Sequence, residues 1–333
     1  MRKYLLPENG TFFKANLHAH TDMSDGTNSP EEVREIFKAK GYSIVAYTDH
    51  DILVDRSYLC QEDFLALNGI ELHINGRSFG KGWLNMETTH LNMIALEQDN
   101  LLSPCYHRTK YLYGNAPKYR DQVRFDESLP DFERQYTPEC INQMLQTGRE
   151  KGFYTVYNHP SCSLETYPTY SQYENMHAVE VYNGRWEDDE HVYNDLLTQG
   201  KMIHCVSGDD SHSKAGSGHS WTVIKADKLE YRSVTDALLK GNFYCSRGPE
   251  IHQLYVEDGV MHIKTSDVRG ITFTSMCRHP GRADVCSGDG SPINEASFRV
   301  LPECKWVRVT LFGCDGRNAV TNAYPVEELL DIT

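Results

Sequence analysis

The stretch Asn16-Leu17-His18-Ala19-His20-Thr21-Asp22-Met23-Ser24-Asp25-Gly26 follows a β-forming run that starts at Phe12, so a strand runs directly into two histidines and an acid. Alternate residues of a strand face one way, so His18 and His20 can share one metal ion. The spacing alone is a weak signal, because fifteen histidines scattered at random over 333 positions would give about 0.7 such pairs. The position at a strand end says more.

The same geometry recurs along the chain. Ile44-Val45-Ala46-Tyr47 ends in Thr48-Asp49-His50-Asp51 rather than in a turn of Gly or Pro. Gly69-Ile70-Glu71-Leu72 places a carboxylate inside an apolar strand, where an unpaired charge is costly unless it meets a cation. Thr89-His90-Leu91-Asn92, Asn158-His159-Pro160 and Gly208-Asp209-Asp210-Ser211-His212 each set a metal-type ligand beside a strand terminus. Barrel enzymes collect their sites from strand C-terminal ends, so residues up to two hundred positions apart can converge. His73, two residues beyond Glu71, would share its face and is an alternative to His90. His107, His177, His191, His204, His252, His262 and His279 lack such a setting and read as surface or packing residues; His219, in a Gly-rich run, reads as a loop histidine.

Through about residue 245, short apolar strands alternate with helical stretches, as in a parallel α/β sheet or barrel. Strands are expected at Phe12–Leu17, Ser43–Tyr47, Leu65–Leu72, His90–Leu96, Phe153–Tyr157, Ala178–Tyr182 and Met202–Val206. Ser29-Pro30-Glu31-Glu32 and Thr137-Pro138-Glu139 each supply an N-cap, a first-turn proline and first-turn acids. Residues 97–136 show no period and read either as a lid beside the site or as a packed surface excursion. After Ser246-Arg247-Gly248-Pro249-Glu250 the pattern turns to alternating strands and Gly-containing turns, which reads as a small β-sandwich.

Composition narrows the functional classes. With 39% hydrophobic and 24% charged residues the chain can bury one sizeable core and a second smaller one. No secretory or membrane-spanning run is evident, which makes the cytoplasm the expected location and a membrane partner unexpected. Ten cysteines without a C-x-x-C pair read as reduced packing residues. A net charge of −14 argues against a broad basic surface for long nucleic acid. A small anionic substrate remains compatible if metals neutralise it, and the oligomeric state is left open.

In order, H-x-H-T-x-x-S-D-G, T-D-H-D, N-H-P and G-D-D-S-H between residues 18 and 212 resemble the PHP family, named for polymerase and histidinol phosphatase, and especially its phosphatase branch. The part from Ser246 onward resembles the β-domain of the CehA/McbA-like metallohydrolase subgroup. The resemblance implies an α/β fold, a distorted seven-stranded β/α barrel over residues 1–248, followed by a small C-terminal β-sandwich over 249–333. It also implies two or three divalent metal ions (manganese, iron or zinc) that hydrolyse phosphoesters. Carried over, one metal takes His18, His20, Glu71 and Asp210; a second shares Glu71 and adds His90 and His159; a third uses Asp25, His50 and His212. Asp209 stands where related sequences often carry Ser.

These residues lead to the expectation of a phosphomonoesterase acting on a small phosphorylated substrate, in which water activated by two metals attacks phosphorus. Arg185 and Arg247 are candidates to hold phosphate oxygens, with surface or hinge roles as the alternative. Asp49 is a candidate catalytic residue that, with Asp51, would orient His50 or shuttle protons. The other readings are a phosphodiesterase or short-oligonucleotide exonuclease, a carbamate or carboxylic ester hydrolase, and a PHP module without catalysis.

Overall fold

Short apolar runs bounded by turn residues become the strands of a mixed α/β structure, seen in a computed structural model that describes residues 2–185, 187–278 and 282–331. The expectation for His279 lies outside the described residues. The strands are β1 Lys3–Tyr4, β2 Thr11–Ala19, β3 Ile44–Tyr47, β4 Leu65–Ser78, β5 Met86–Ala95, β6 Phe153–Tyr157 and β7 Ala178–Asn183. Then come β8 Glu187–Asp188, β9 His204–Gly208, β10 Trp221–Ala226 and β11 Phe243–Ser246. The C-terminal part adds β12 Ile251–Glu257, β13 Val260–Ser275, β14 Arg282–Val285, β15 Ile293–Arg299, β16 Trp306–Gly313, β17 Asn318–Thr321 and β18 Tyr324–Pro325. Helices are α1 Pro30–Lys38, α2 Pro138–Glu150, α3 Tyr167–Tyr170, α4 Glu190–Thr198, α5 Tyr231–Leu239 and α6 Val326–Leu329. None of the described helices is long and apolar enough to cross a membrane.

The caps act as their sequences imply. Ser29 Oγ accepts the Glu32 amide and the Glu32 carboxylate accepts the Ser29 amide, a reciprocal box that satisfies two open donors at the start of α1. Val33 and Phe37 are then buried one turn apart on the inward face. Thr137 caps α2 in the same manner through the Cys140 amide.

All seven expected strands are present, as β2, β3, β4, β5, β6, β7 and β9. β10 and β11 go beyond them. Pairing runs β2–β3, β3–β4, β4–β5, β5–β6, β6–β7 and β7–β9, and β9 meets β2 again at a parallel bridge between Ala19 and Ser211. The all-parallel expectation needs correction, because β5 runs antiparallel to both β4 and β6. A direct hairpin joins β4 to β5 where a parallel pair would need a long crossover.

β3, β6 and β7 are buried along their whole length, as expected for strands covered on both faces. Their C-terminal ends, with that of β2, form the rim that carries the site. The C-terminal strands join this network rather than standing apart: β17 pairs with β11, and β1, from the first residues of the chain, pairs with β12. The C-terminal core accordingly takes in Leu6 and Val223 with Ile251, Phe273 and Val309.

Candidate metal centre

β2 delivers His18 and His20 to the same side, and the two Nε2 atoms lie 3.2 Å apart. Glu71, from the middle of β4, stands 3.2 Å from each of them. Asp210, just past β9, places Oδ1 3.2 Å from His18 and 3.0 Å from His20. In a regular tetrahedron around an ion held at about 2.0–2.1 Å, the donors sit about 3.3–3.4 Å from one another. Hydrogen bonding does not explain the cluster, since His18 Nε2 faces three donor or acceptor atoms and a ring nitrogen carries at most one proton.

The polar bookkeeping agrees. Glu71 Oε2, Asp210 Oδ1, His159 Nε2, His20 Nδ1 and His50 Nδ1 are buried without a hydrogen-bond partner. Orphaned buried atoms are costly, and five around one point match the demand of bound cations. Burial opposes the charge on Glu71, yet His18, His90 and His50 hold it well below the usual carboxylate range. Burial also opposes charge on His20, but the adjoining Asp210 and Glu71 carboxylates push it up to about 10. Burial, helped by His20 and His90, pushes His50 down to about 3. Divalent ions, which require neutral imidazoles, would relieve this crowding of charge.

The other expected ligands surround the first cluster. His90 Nδ1 and His50 Nδ1 lie 3.1 and 3.2 Å from Glu71, and His159 Nε2 lies 3.4 Å from it. Asp25 is 3.2 Å from His212 and 3.8 Å from His50, and these three form a second grouping with His20. A neutral imidazole offers one lone pair, so the close packing of His20 Nε2 assigns it to the first cluster and leaves Asp25, His50 and His212 together. The candidate groups overlap: His50 also reaches Glu71 and His90 through its Nδ1, and His159 lies near His18 and Glu180 as well as 3.4 Å from Glu71.

Backbone strain gathers here. Asp51, His159 and Asp210 adopt φ of 58°, 26° and 48°, in the left-handed region that costs a non-glycine residue on the order of 1 kcal/mol or more. The ends of three strands are bent to aim side chains inward.

Asp49 needs correction. Its carboxylate accepts the Thr21 amide and the Thr21 and Ser24 hydroxyls, and pairs with Arg56 at 2.7 Å. It clamps the turn that carries Asp25 and has no hydrogen bond or ion pair to His50. Asp51 instead takes His73 at 2.6 Å and the buried guanidinium of Arg134. His73 is thereby occupied, which leaves His90 at the cluster. Arg247 also has a different place: its guanidinium lies 4.4 Å from the centre of the Tyr182 ring and donates to the Glu187 carbonyl, a brace between β11 and β8. Arg185 is exposed on the turn after β7. Asp209 accepts the amides of Gly218, His219 and Ser220, so it shapes the loop while Asp210 faces the cluster. His219 bonds the Ala215 carbonyl, as a loop residue would.

Residues 97–136 do pack beside the site: the Tyr113 ring lies 5.3 Å from His50 and 5.7 Å from His73, and the Asn115 amide bonds the Ser24 carbonyl. Two contributors escaped the sequence reading. Asn158 donates to Glu71 at 2.7 Å. Glu180, buried in β7, sits 3.2 Å from His18 Nδ1 and is steadied by Asn183. With the proton on Nδ1, that contact would direct the Nε2 lone pair into the cluster. A carboxylate within an apolar strand, the signal used for Glu71, marks Glu180 too.

No protein-family model matches the chain. Among curated proteins, a 5′-3′ exoribonuclease of Haemophilus influenzae is 33% identical over 91 residues, which cover 26% of this chain and 33% of that protein. The chain thus matches about a third of the length of this curated relative. Among solved structures, a two-domain protein from Bacteroides vulgatus containing a predicted PHP-like metal-dependent phosphoesterase superposes with a TM-score of 0.45 at 15% identity, covering 97% of both chains. An amidohydrolase from Chromobacterium violaceum superposes with a TM-score of 0.39 at 16% identity, covering 69% of this chain and 96% of that one.

Proposed function

We propose that the chain is a PHP-type metal-dependent phosphoesterase, with a small phosphomonoester such as a nucleotide or sugar phosphate as its leading substrate. The observation that carries the metal half is the four-donor cluster of His18, His20, Glu71 and Asp210, in which the two imidazole Nε2 atoms lie 3.0–3.2 Å from each other and from both carboxylates. The order of the sequence motifs supports the phosphoester half, together with a cluster rim where Asp25, His90, Asp210 and His212 are partly open to solvent. When bound, divalent ions of the manganese, iron or zinc type acidify water and neutralise phosphate oxygens.

The chain's own groups supply the positioning. Glu180 keeps the His18 proton on Nδ1, Asn158 holds Glu71, and Asp49 fixes the turn bearing Asp25. Arg185 is the remaining guanidinium candidate for a phosphate oxygen. The seven strands β2 to β7 and β9 make a distorted barrel in this reading, with the C-terminal strands as a covering β-layer, and the enzyme acts in the cytoplasm.

The test is phosphate release from a panel of phosphomonoesters and nucleotides by metal-replete protein, with Glu71→Ala as the control. Release by the wild type and none by the variant is expected; equal activity and metal content in both overturns the site. A second reading, a short-oligonucleotide exonuclease, is supported by the 91-residue match to an exoribonuclease. Cleavage of a dinucleotide in preference to release from a mononucleotide selects it.

A further inference from the structure

The hairpin between β4 and β5 carries a second feature, at the end away from the ligands. Glu71 and His90 lie where the paired strands leave the rim, and both strands continue past it to the pair Ser78 and Met86. The four strand steps from His90 to Met86 span about 13 Å at the usual strand rise, and the tip lies beyond them. Its tip exposes three large apolar side chains: Trp83 is 79% exposed, Leu84 70% and Phe79 54%. The tip is nonetheless closed by hydrogen bonds, from the Phe79 amide to the Asn85 carbonyl, from Asn85 to the Lys81 carbonyl and from Ser78 to the Gly80 carbonyl. Arg77 stacks on Phe79 at 4.4 Å and Lys81 stands between the two aromatics in sequence, so this segment of an acidic chain presents cations with its rings.

Exposed aromatic rings interleaved with Arg and Lys form a platform on which the bases of a single strand stack while its phosphates meet the cations. We infer that the 79–84 tip binds the bases of a short single-stranded oligonucleotide whose terminal phosphoester lies at the metal centre. The inference rests on the phosphoesterase reading of that centre and extends the substrate from a mononucleotide to a short strand. The small size of the platform accords with a net charge of −14, which disfavours long nucleic acid.

The test compares wild type with a Phe79→Ala/Trp83→Ala variant, whose substitutions are exposed and leave the ligands in place. Each protein is titrated with a pentanucleotide whose 5′-terminal phosphate and internucleotide linkages are replaced by non-hydrolysable methylene phosphonates, then assayed on the cleavable 5′-phosphorylated pentanucleotide and on p-nitrophenyl phosphate. The expected result is a Kd and KM for the pentanucleotide raised about tenfold or more, with p-nitrophenyl phosphate turnover within about twofold of wild type. Lys81→Ala is expected to weaken binding and to lower the salt slope by about one. Unchanged pentanucleotide affinity overturns the inference. So does an equal fall in p-nitrophenyl phosphate turnover, or a variant that loses only self-association or binding to anionic vesicles. Tip-dependent binding without hydrolysis of any phosphoester instead overturns the phosphoesterase reading and leaves the platform standing.

Discussion

Two glutamates are buried to almost the same degree, Glu71 at 1% and Glu165 at 7% exposure, and their surroundings are opposites. Glu165 is saturated by hydroxyls: Thr89 and Tyr173 at 2.6 Å, Tyr157 at 2.7 Å and Tyr136 at 3.0 Å. Glu71 is ringed by imidazole nitrogens and one amide, and its Oε2 is left without a hydrogen bond. Burial pushes Glu165 up to about 7 although the four hydroxyls pull the other way, whereas the histidines hold Glu71 well below its usual range. A buried carboxylate that completes its own hydrogen bonds is structural; one that leaves an oxygen open among histidines is built to receive cations.

The largest effect that would break the contrast is expected from Glu71→Gln, which keeps the shape and removes the charge. Bound metal should be lost and phosphate release should fall by more than about a hundredfold, beyond what substitution of a supporting residue costs. Chelation should lower the melting temperature of the wild type, and lower that of Glu71→Gln by less, because an ion that binds only the folded chain stabilises it by mass action.

Glu165→Gln should leave metal content and turnover within about twofold and alter the pH dependence of stability. The folded pKa of Glu165 lies above its unfolded value near 4.5, so its contribution is fully present below that value and is lost as pH rises through about 7. The wild type should therefore lose on the order of 3 kcal/mol relative to the variant between pH 4.5 and pH 8, measured by urea unfolding. Parallel curves for the two proteins would remove the distinction between the pockets.

Glu180→Gln should reduce metal affinity about 10- to 100-fold in a competition titration while the fold persists, since it acts through His18. The smallest change, Ser29→Ala at the start of α1, should cost about 1 kcal/mol of stability and leave metal affinity unchanged, because the cap's bonds are exchanged with Glu32 and not with an expected ligand.

Much of this was legible in the sequence because strand-end residues are fixed by alternation. His18, His20, Glu71, Asp210 and the five other expected ligands all meet at one rim. What escaped depends on side-chain partners that no spacing encodes. Asp49 follows the same strand as His50, but Thr21, Ser24 and Arg56 capture its carboxylate. Arg247 sits beside a domain-like boundary in sequence, yet the Tyr182 ring and a carbonyl claim its guanidinium. The antiparallel placement of β5 is a matter of long-range pairing.

The most direct test of the central claim is the metal content of the purified chain after saturation with manganese, iron or zinc and removal of free ions, measured by elemental analysis beside Glu71→Gln. The account predicts two or three ions per wild-type chain and at least one fewer in the variant. A wild-type chain that retains none, or a variant that retains as many as the wild type, would contradict it.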